Sequence, residues 1–504
     1  MKILSAAQIR QADQYTISHE PIASIDLMER AASACVEYIL ESNKPDTRYI
    51  VVCGKGNNGG DGLAIARMLK HADQHVDVYI VEYTATSSAD FITNLGLLRN
   101  IPSLSLHYIN NANELAISND EHSVIIDAIF GTGINKPTDG LVADVISSIN
   151  KSGKPIIAID VPSGLPIDET MPSKWNIVKA SLTLTFQLPK LSFLFPEGGE
   201  YVGVLKVLDI GINKKYIESV ESQYNFLQDK DISALLLPRS RFSHKGTFGH
   251  SLIISGSYGK MGAAVLSSHA CLSSGTGLLT THIPKCGYEI IQAALPEAMS
   301  SIDSAIGHIS TLPSLEPYTS IGIGPGIGKQ PDTAQVVKLL IQSTPCPLVL
   351  DADALNIISE NKTWLGFLPP RSILTPHPKE FDRLTEKYTD SWKRLKSAQE
   401  LAHKYSIIIV LKGAYTATVM PDKSVWFNST GNPALAKGGS GDVLTGIITG
   451  LISRGYEPSD AAFLGVYLHG LAADLAVLDI NPESLLASDV IAYISEAFNY
   501  LYEI

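Results

Sequence analysis

Two short glycine-rich runs hold the residue types best suited to chemistry, and each carries a carboxylate. The first is Gly54-Lys55-Gly56-Asn57-Asn58-Gly59-Gly60-Asp61-Gly62, and the second is Lys437-Gly438-Gly439-Ser440-Gly441-Asp442. Each precedes an apolar stretch of helical character, where the unpaired N–H groups and dipole of a helix start favour phosphate. Two unlike phosphate-type sites in one chain point to two enzymes acting on one kind of nucleotide-like molecule.

The first run is not a Walker A loop, because no Lys-Ser or Lys-Thr follows at the required spacing. Its core, Asn57 to Gly62, is nevertheless more specific than a plain G-x-G-x-x-G. Adjacent amides supply oxygen ligands, and the glycines allow close backbone approach. Asp127 opens a second glycine turn through Phe130-Gly131-Thr132-Gly133, and Asp160 opens Asp160-Val161-Pro162-Ser163-Gly164. Asn58, Asp127 and Ser163 together offer an amide oxygen, a carboxylate, and a hydroxyl or carbonyl. That all-oxygen set suits a hard cation and not zinc, which prefers nitrogen and sulfur.

In the second half, Gly438 to Asp442 at a helix start has a mechanical reading. Backbone amides there stabilise charge on a transferring phosphoryl group while Asp442 accepts the proton of the attacking hydroxyl. Gly322 to Lys329 looks superficially like a P-loop but fails on spacing, and Gln330 stands where Ser or Thr must bind magnesium. Lys412-Gly413-Ala414-Tyr415-Thr416 follows a strand-like run and could grip a nucleotide phosphate. His377 lies in a proline-bounded turn, Thr375-Pro376-His377-Pro378-Lys379-Glu380, where a lone histidine is more often structural than functional.

The elements that would position these residues are short apolar strands alternating with helices. In the first half the strands read as 49–53, 76–81, 123–127, 154–160 and 182–186, with a helix over 63–70. In the second they read as 250–255, 319–324, 348–351 and 407–411, with helices over 263–274, 441–453 and 461–477. Near-continuous apolar strands between helices indicate parallel sheets covered on both faces. Ligands bind beyond the carboxyl ends of such strands. Asp127, Asp160 and the first glycine run all fall there, so three strands converge on one crevice. Residues 211–231 are polar and weakly periodic, which places the domain boundary among them.

Length and composition agree with this. A chain of 504 residues exceeds one ordinary domain, and 45% hydrophobic with 18% charged residues is usual for an α/β enzyme. A formal charge of −12 argues against nucleic-acid or acidic-membrane partners, which need a basic face, but not against small anions. Five cysteines (Cys35, Cys53, Cys271, Cys286 and Cys346) form no CxxC pair, and are expected as buried thiols in a reducing compartment. The N-terminus lacks a signal-peptide core, and no apolar run reaches the roughly 18–20 residues of a membrane span. A cytoplasmic location is the expectation.

The first half resembles the YjeF N-terminal family, the NAD(P)H-hydrate epimerases, through Gly54–Gly62, Asp127–Gly133, Asp160–Gly164 and Thr185–Lys190. The resemblance implies a Rossmann-like three-layer sandwich over 1–220. It implies potassium held by Asn58, Asp127 and Ser163. It further implies hydrated nicotinamide nucleotide against Asn57, Asn58, Gly59, Gly60, Asp61, Gly131, Thr132, Gly133, Ile134, Asn135, Lys136, Pro137 and Asp160, the last also catalytic.

The second half resembles the NAD(P)H-hydrate dehydratases of the ribokinase-like superfamily. The matching stretches are His244–Gly246, Gly256–Ser257 with Met261–Ala263, Gly324–Gly326, Asp351–Asp353, Thr375–Glu380, Lys412–Thr416 and Gly438–Leu444. That implies a ribokinase-like α/β domain over 225–504. Ala263, Gly326, His377 and the catalytic Asp442 would contact the substrate. Lys412, Gly413, Ala414, Tyr415, Thr416 and Gly441 would hold ADP or ATP, with magnesium. Small-molecule substrates and a homo-oligomer are implied, and the fused arrangement leans to ADP. Two alternatives stay open: a ribokinase-like kinase for a small alcohol, which shares the Gly-Ser-Gly-Asp motif, and an N-terminal module that only binds or scaffolds.

Overall fold

The apolar runs of the first half become seven parallel strands in the computed structural model, which describes residues 1–43, 46–102, 104–117, 120–168 and 175–504. They are β1 (Arg48–Cys53), β2 (His75–Val81), β3 (Ser105–Ile109), β4 (Ser123–Ala128), β5 (Ile156–Ile159), β6 (Leu182–Phe186) and β7 (Val204–Leu208), in the order β3-β2-β1-β4-β5-β6-β7. Alternate residues of β1 feed two cores. Tyr49, Val51 and Cys53 pack under the helices Ser24–Ser42 and Asn57–His71, while Ile50 and Val52 pack against the helix Gly140–Lys151. The result is a helix–sheet–helix sandwich. The strand order reverses between β1 and β4, so their carboxyl ends open the crevice where such sheets bind ligands.

The helix after β1 begins at Asn57, six residues before the expected Leu63, so most of the glycine run is its first turns. The cause is packing. A Cβ on Gly59 would lie 1.9 Å from the Gly54 carbonyl oxygen, and one on Gly62 would lie 2.6 Å from the Ala128 Cβ. These glycines let the helix lie directly on β1 and β4.

The remaining residues build a second sheet of ten strands. These are β8 (Tyr224–Phe226), β9 (His250–Ile254), β10 (Leu278–Ile283), β11 (Met299–Ile302), β12 (Ser320–Ile323), β13 (Leu348–Leu350), β14 (Ile373–Leu374), β15 (Ile408–Leu411), β16 (Ala417–Val419) and β17 (Val425–Phe427). The order is β11-β10-β9-β12-β13-β14-β15-β16-β17-β8, parallel except where β16 turns back between β15 and β17. The two compact units are Met1–Ser222 and Gln223–Ile504.

Two sequence expectations need correction. The helix Pro458–Asp479 has 22 residues and a mean hydropathy of 1.7 in its most apolar window, long and apolar enough to cross a bilayer. Two thirds of that window is buried within the protein, where Leu464, Leu468 and Ala472 join the second unit's core. All five cysteines are free thiols, but Cys286, in the short helix Lys285–Gly287 at the rim of a core cluster, and Cys346, in the loop before β13, are only partly buried.

Candidate active sites

In the first unit a cavity of about 1160 Å³ opens beside the ends of β1, β4, β5 and β6. Asn57, Asn58, Asp61, the whole of Gly131–Pro137 and Asp160 line it. Gly59 and Gly60 do not, because the helix that starts at Asn57 turns them inward against Gly54 and Met28. The cavity's size exceeds the few hundred Å³ of a drug-sized pocket and suits something as large as a dinucleotide.

Asp127 lies under the crevice, fully buried in β4, where it pairs with Val52 of β1 and Ala158 of β5. Its Oδ1 accepts from the Ser163 hydroxyl at 2.6 Å and its Oδ2 from the Ser163 amide at 2.8 Å. Burial pushes the Asp127 carboxyl up to about 6, against the pull of the Ser163 hydrogen bonds. Asn58 is also buried, and neither its Oδ1 nor its Nδ2 has a hydrogen-bond partner. A buried amide oxygen left unpaired costs on the order of 1–3 kcal/mol, so an unpaired Asn58 next to Gly131 asks for a ligand. One carboxylate among neutral oxygens matches a cation of low charge.

Asp160 sits just past β5 with φ +61°, a left-handed conformation uncommon outside glycine. Its Oδ1 meets Lys190 Nζ at 2.8 Å, the Phe186 amide at 3.2 Å and the Thr185 hydroxyl at 3.3 Å. Lys190 is 1% exposed and also donates to the carbonyls of Phe186 and Leu188.

In the second unit the site residues gather at the carboxyl ends of β9, β12, β13, β14 and β15. Lys412 follows β15 and its Nζ lies 2.9 Å from Asp351 Oδ1, at the end of β13, and 3.9 Å from Glu380 Oε2. Burial alone would lower the Lys412 ammonium, but Asp351 and Glu380 overcome it and raise it. Asp351 Oδ2 accepts from the Thr445 hydroxyl at 2.9 Å, on the helix Ser440–Ser453. That helix starts from Gly439 at φ +97°, a conformation that glycine adopts freely, and it carries Gly441 and Asp442 in its first turn. A Cβ on Gly441 would sit 3.3 Å from both Lys412 Nζ and Asp351 Oδ2. Burial pushes the Asp442 carboxyl up to about 6, Asp351 adding to the rise and Lys412 opposing it.

His377 has a clear structural task. Its Nδ1 accepts from the Lys379 and Glu380 amides and caps the helix Pro378–Leu384. That leaves the proton on Nε2, 3.5 Å from Glu380 Oε1, so Glu380 bridges His377 and Lys412. Ala263 and Gly326 face each other, a Cβ on Gly326 lying 3.0 Å from the Ala263 Cβ. Asp353 accepts from the neighbouring Gly328 amide at 2.8 Å and pairs with Lys260 at 3.4 Å. Gly413, Ala414, Tyr415 and Thr416 form the β15–β16 turn, closed by the Gly413 amide donating to Thr416 Oγ1.

Sequence reasoning passed over Asp13, Lys190, Asp351, Glu380 and Thr445 as site residues. Lys190, Asp351 and Glu380 stood inside quoted motifs, which was the available signal. The partners of the first two are separated from them by 30 residues (Asp160 to Lys190) and 61 (Asp351 to Lys412), so only the strand order reveals them.

Residues 251–496 match a family model described as NAD(P)H-hydrate dehydratase, and residues 24–192 match one described as YjeF-related protein N-terminus. The bifunctional NAD(P)H-hydrate repair enzyme Nnr of Moorella thermoacetica is 35% identical, spanning 100% of this chain and 98% of its own. The protein of that name from Coxiella burnetii is 33% identical over 98% of each chain. Among solved structures, an ADP/ATP-dependent NAD(P)H-hydrate dehydratase from Bacillus subtilis, co-crystallized with ATP and Mg2+, is 34% identical. It covers 55% of this chain and 98% of its own, with a TM-score of 0.49.

Proposed function

We propose, for a chain that belongs to the family of bifunctional NAD(P)H-hydrate repair enzymes, that its two units divide one repair between them. NADH and NADPH can add water across a ring double bond, giving R and S hydrates that no longer donate hydride. The first unit interconverts the two epimers. The second dehydrates the S form at the expense of ADP or ATP.

The observation that carries the second activity is Asp442, in the first turn of a helix, beside Gly441 and the Lys412–Asp351 pair. Hydroxide is a poor leaving group, so the ring hydroxyl is first made a phosphate ester. Asp442 takes the hydroxyl proton as the oxygen attacks the terminal phosphorus, and the amides at the helix start hold the growing charge. The ring nitrogen's lone pair then expels phosphate, and loss of a proton from the adjacent carbon restores the double bond. Lys412 and the turn to Thr416 hold the nucleotide, while Ala263, Gly326 and His377 line the hydrated ring. Magnesium would arrive on the nucleotide's phosphates.

In the first unit, potassium would be held by Asn58, Asp127 and Ser163, and the unpartnered Asn58 oxygen is what supports that set. When bound, the ion would offset the buried Asp127 charge and order the loops that face phosphate. Hydrated nucleotide would lie along Asn57–Asp61 and Gly131–Pro137, with Asp160 at the ring.

The test is direct. Hydrated NADH incubated with ADP or ATP should regain NADH absorbance, with AMP or ADP and phosphate released. Accumulation of a stable phosphorylated product with no NADH would favour a small-alcohol kinase instead. Lys412→Ala should weaken ADP binding by roughly 10–100-fold, the worth of one charged hydrogen-bond donor. It should also move the Asp442-dependent rise of rate with pH to higher pH, since Lys412 holds that carboxyl down. Unchanged nucleotide affinity by calorimetry would remove Lys412 from the nucleotide site.

A further inference from the structure

A second carboxyl shares the lining of the first unit's cavity with Asp160 and interacts with it electrostatically. Asp13, on the helix Ala6–His19, lines that cavity with Asp61, Asp160 and Lys190. Asp160 Oδ1 is committed to Lys190, Phe186 and Thr185, which leaves its Oδ2 without a donor among the described residues. Asp13 has no hydrogen-bond donor of its own among the described residues. It is therefore a half-buried carboxyl whose charged neighbours are Asp160, Lys190 and Asp61.

We propose that Asp13 is the second member of the epimerase's acid–base pair, protonating the ring nitrogen while Asp160 takes the proton of the ring hydroxyl. This deepens the epimerase reading of the first unit and rests on it. The chemistry needs two groups. Hydration leaves the hydroxyl on a carbon bonded to the ring nitrogen, a hemiaminal. As Asp160 takes the O–H proton, the carbon–oxygen double bond forms and the carbon–nitrogen bond breaks. Its electron pair goes to nitrogen, which takes a proton from Asp13. The open form is an aldehyde joined to an N–H enamine. Rotation about the adjacent single bond turns the other aldehyde face to nitrogen, and closure returns both protons to their donors.

Asp61 is the other carboxyl to weigh. It is 8% exposed, and burial pushes it well above the carboxylate range, with Asp160, Asp13 and Asp90 adding to the rise. Asp61 is buried where Asp13 is half-buried, so Asp13 is the carboxyl more open to a ligand in the cavity. Asp13 is pushed up to about 6, by burial first, then Asp160, with Lys190 opposing. That places it near working pH, where general acids are most effective. Arg10, Glu82, Asp90, Lys136 and Asp139 also line the cavity, and none is among the causes of that shift.

The experiment follows R-hydrate conversion by the full chain, with excess ADP removing S hydrate as it forms. Asp13→Asn should lower kcat by about 100-fold or more, a general acid's usual share, with KM within about threefold. Wild-type kcat/KM should fall as pH rises above about 6, because the acid form is lost, and the variant should lack that fall. An unfolding profile of the same variant that matches the wild type's by calorimetry reports that the first unit is folded, which S-hydrate dehydration by the separate second unit would not. A variant keeping more than about a tenth of the rate overturns the assignment. So does a flat wild-type profile between about pH 5 and 8, a readout that needs no variant. If the wild type leaves R hydrate unconverted, it is the epimerase reading itself that falls.

Discussion

Asp442→Asn is expected to abolish dehydration of S hydrate while leaving the fold and nucleotide binding in place. An amide of the same shape cannot take the hydroxyl proton, and losing a general base costs on the order of 100–10,000-fold in rate. The remainder would come from the helix-start amides and bound nucleotide, which the substitution does not touch. Folding should not suffer, because the Asp442 carboxylate accepts no hydrogen bond within the protein among the described residues. The sign of the pH effect supports this. Asp442 is raised from 3.8 to about 6 on folding, so the folded state holds the proton more tightly. Its contribution to stability is present at low pH and is lost as pH rises through that window. Asparagine removes that loss, and the melting temperature of the variant at neutral pH should equal or exceed the wild type's. Wild-type turnover should climb with pH through about 6 and then level, and the variant's residual rate should not. More than about a tenth of wild-type rate in the variant would take Asp442 out of the base role.

The sites were partly legible before folding because their chemistry is written locally. Gly438 to Asp442 announces a helix start, and Asp127 and Asp160 end apolar runs. What the chain could not show is which strand lies beside which. Asp351 reads as one more aspartate until β13 and β15 flank β14 and bring it to Lys412. The edge strands β3 and β7 were missed for a related reason. Ser105, His107 and Lys206 break the apolar run, because an edge strand shows one side to water. Gly59 and Gly62 misled in another way. Read as loop residues for a phosphate, they are helical, and their lack of a side chain serves packing against β1 and β4. The structure also gives His377 the capping task that a lone histidine more often has, without taking it from the neighbourhood of Lys412.

Asp127→Ala should stop conversion of R hydrate and spare dehydration of S hydrate. Two effects act at the first site. The proposed potassium loses its charged ligand, so the loops carrying Asn58 and Gly131 lose what would order them. In addition, the Ser163 amide, the Ser163 hydroxyl and the Ile129 amide lose their acceptor, each at about 1–3 kcal/mol if left unsatisfied. If the alanine variant fails to fold, Asp127→Asn keeps an acceptor for Ser163 while removing the charge, and should show the same loss of epimerisation. The second activity should survive either change, since Asp442, Lys412 and Asp351 stand on a separate sheet with its own core. On a mixed sample the variant should repair the S fraction at the normal rate, then slow to the pace of uncatalysed epimerisation. Fast repair of the whole mixture would overturn epimerisation at this site. Loss of S-hydrate dehydration in a folded variant would show instead that the two units do not act independently.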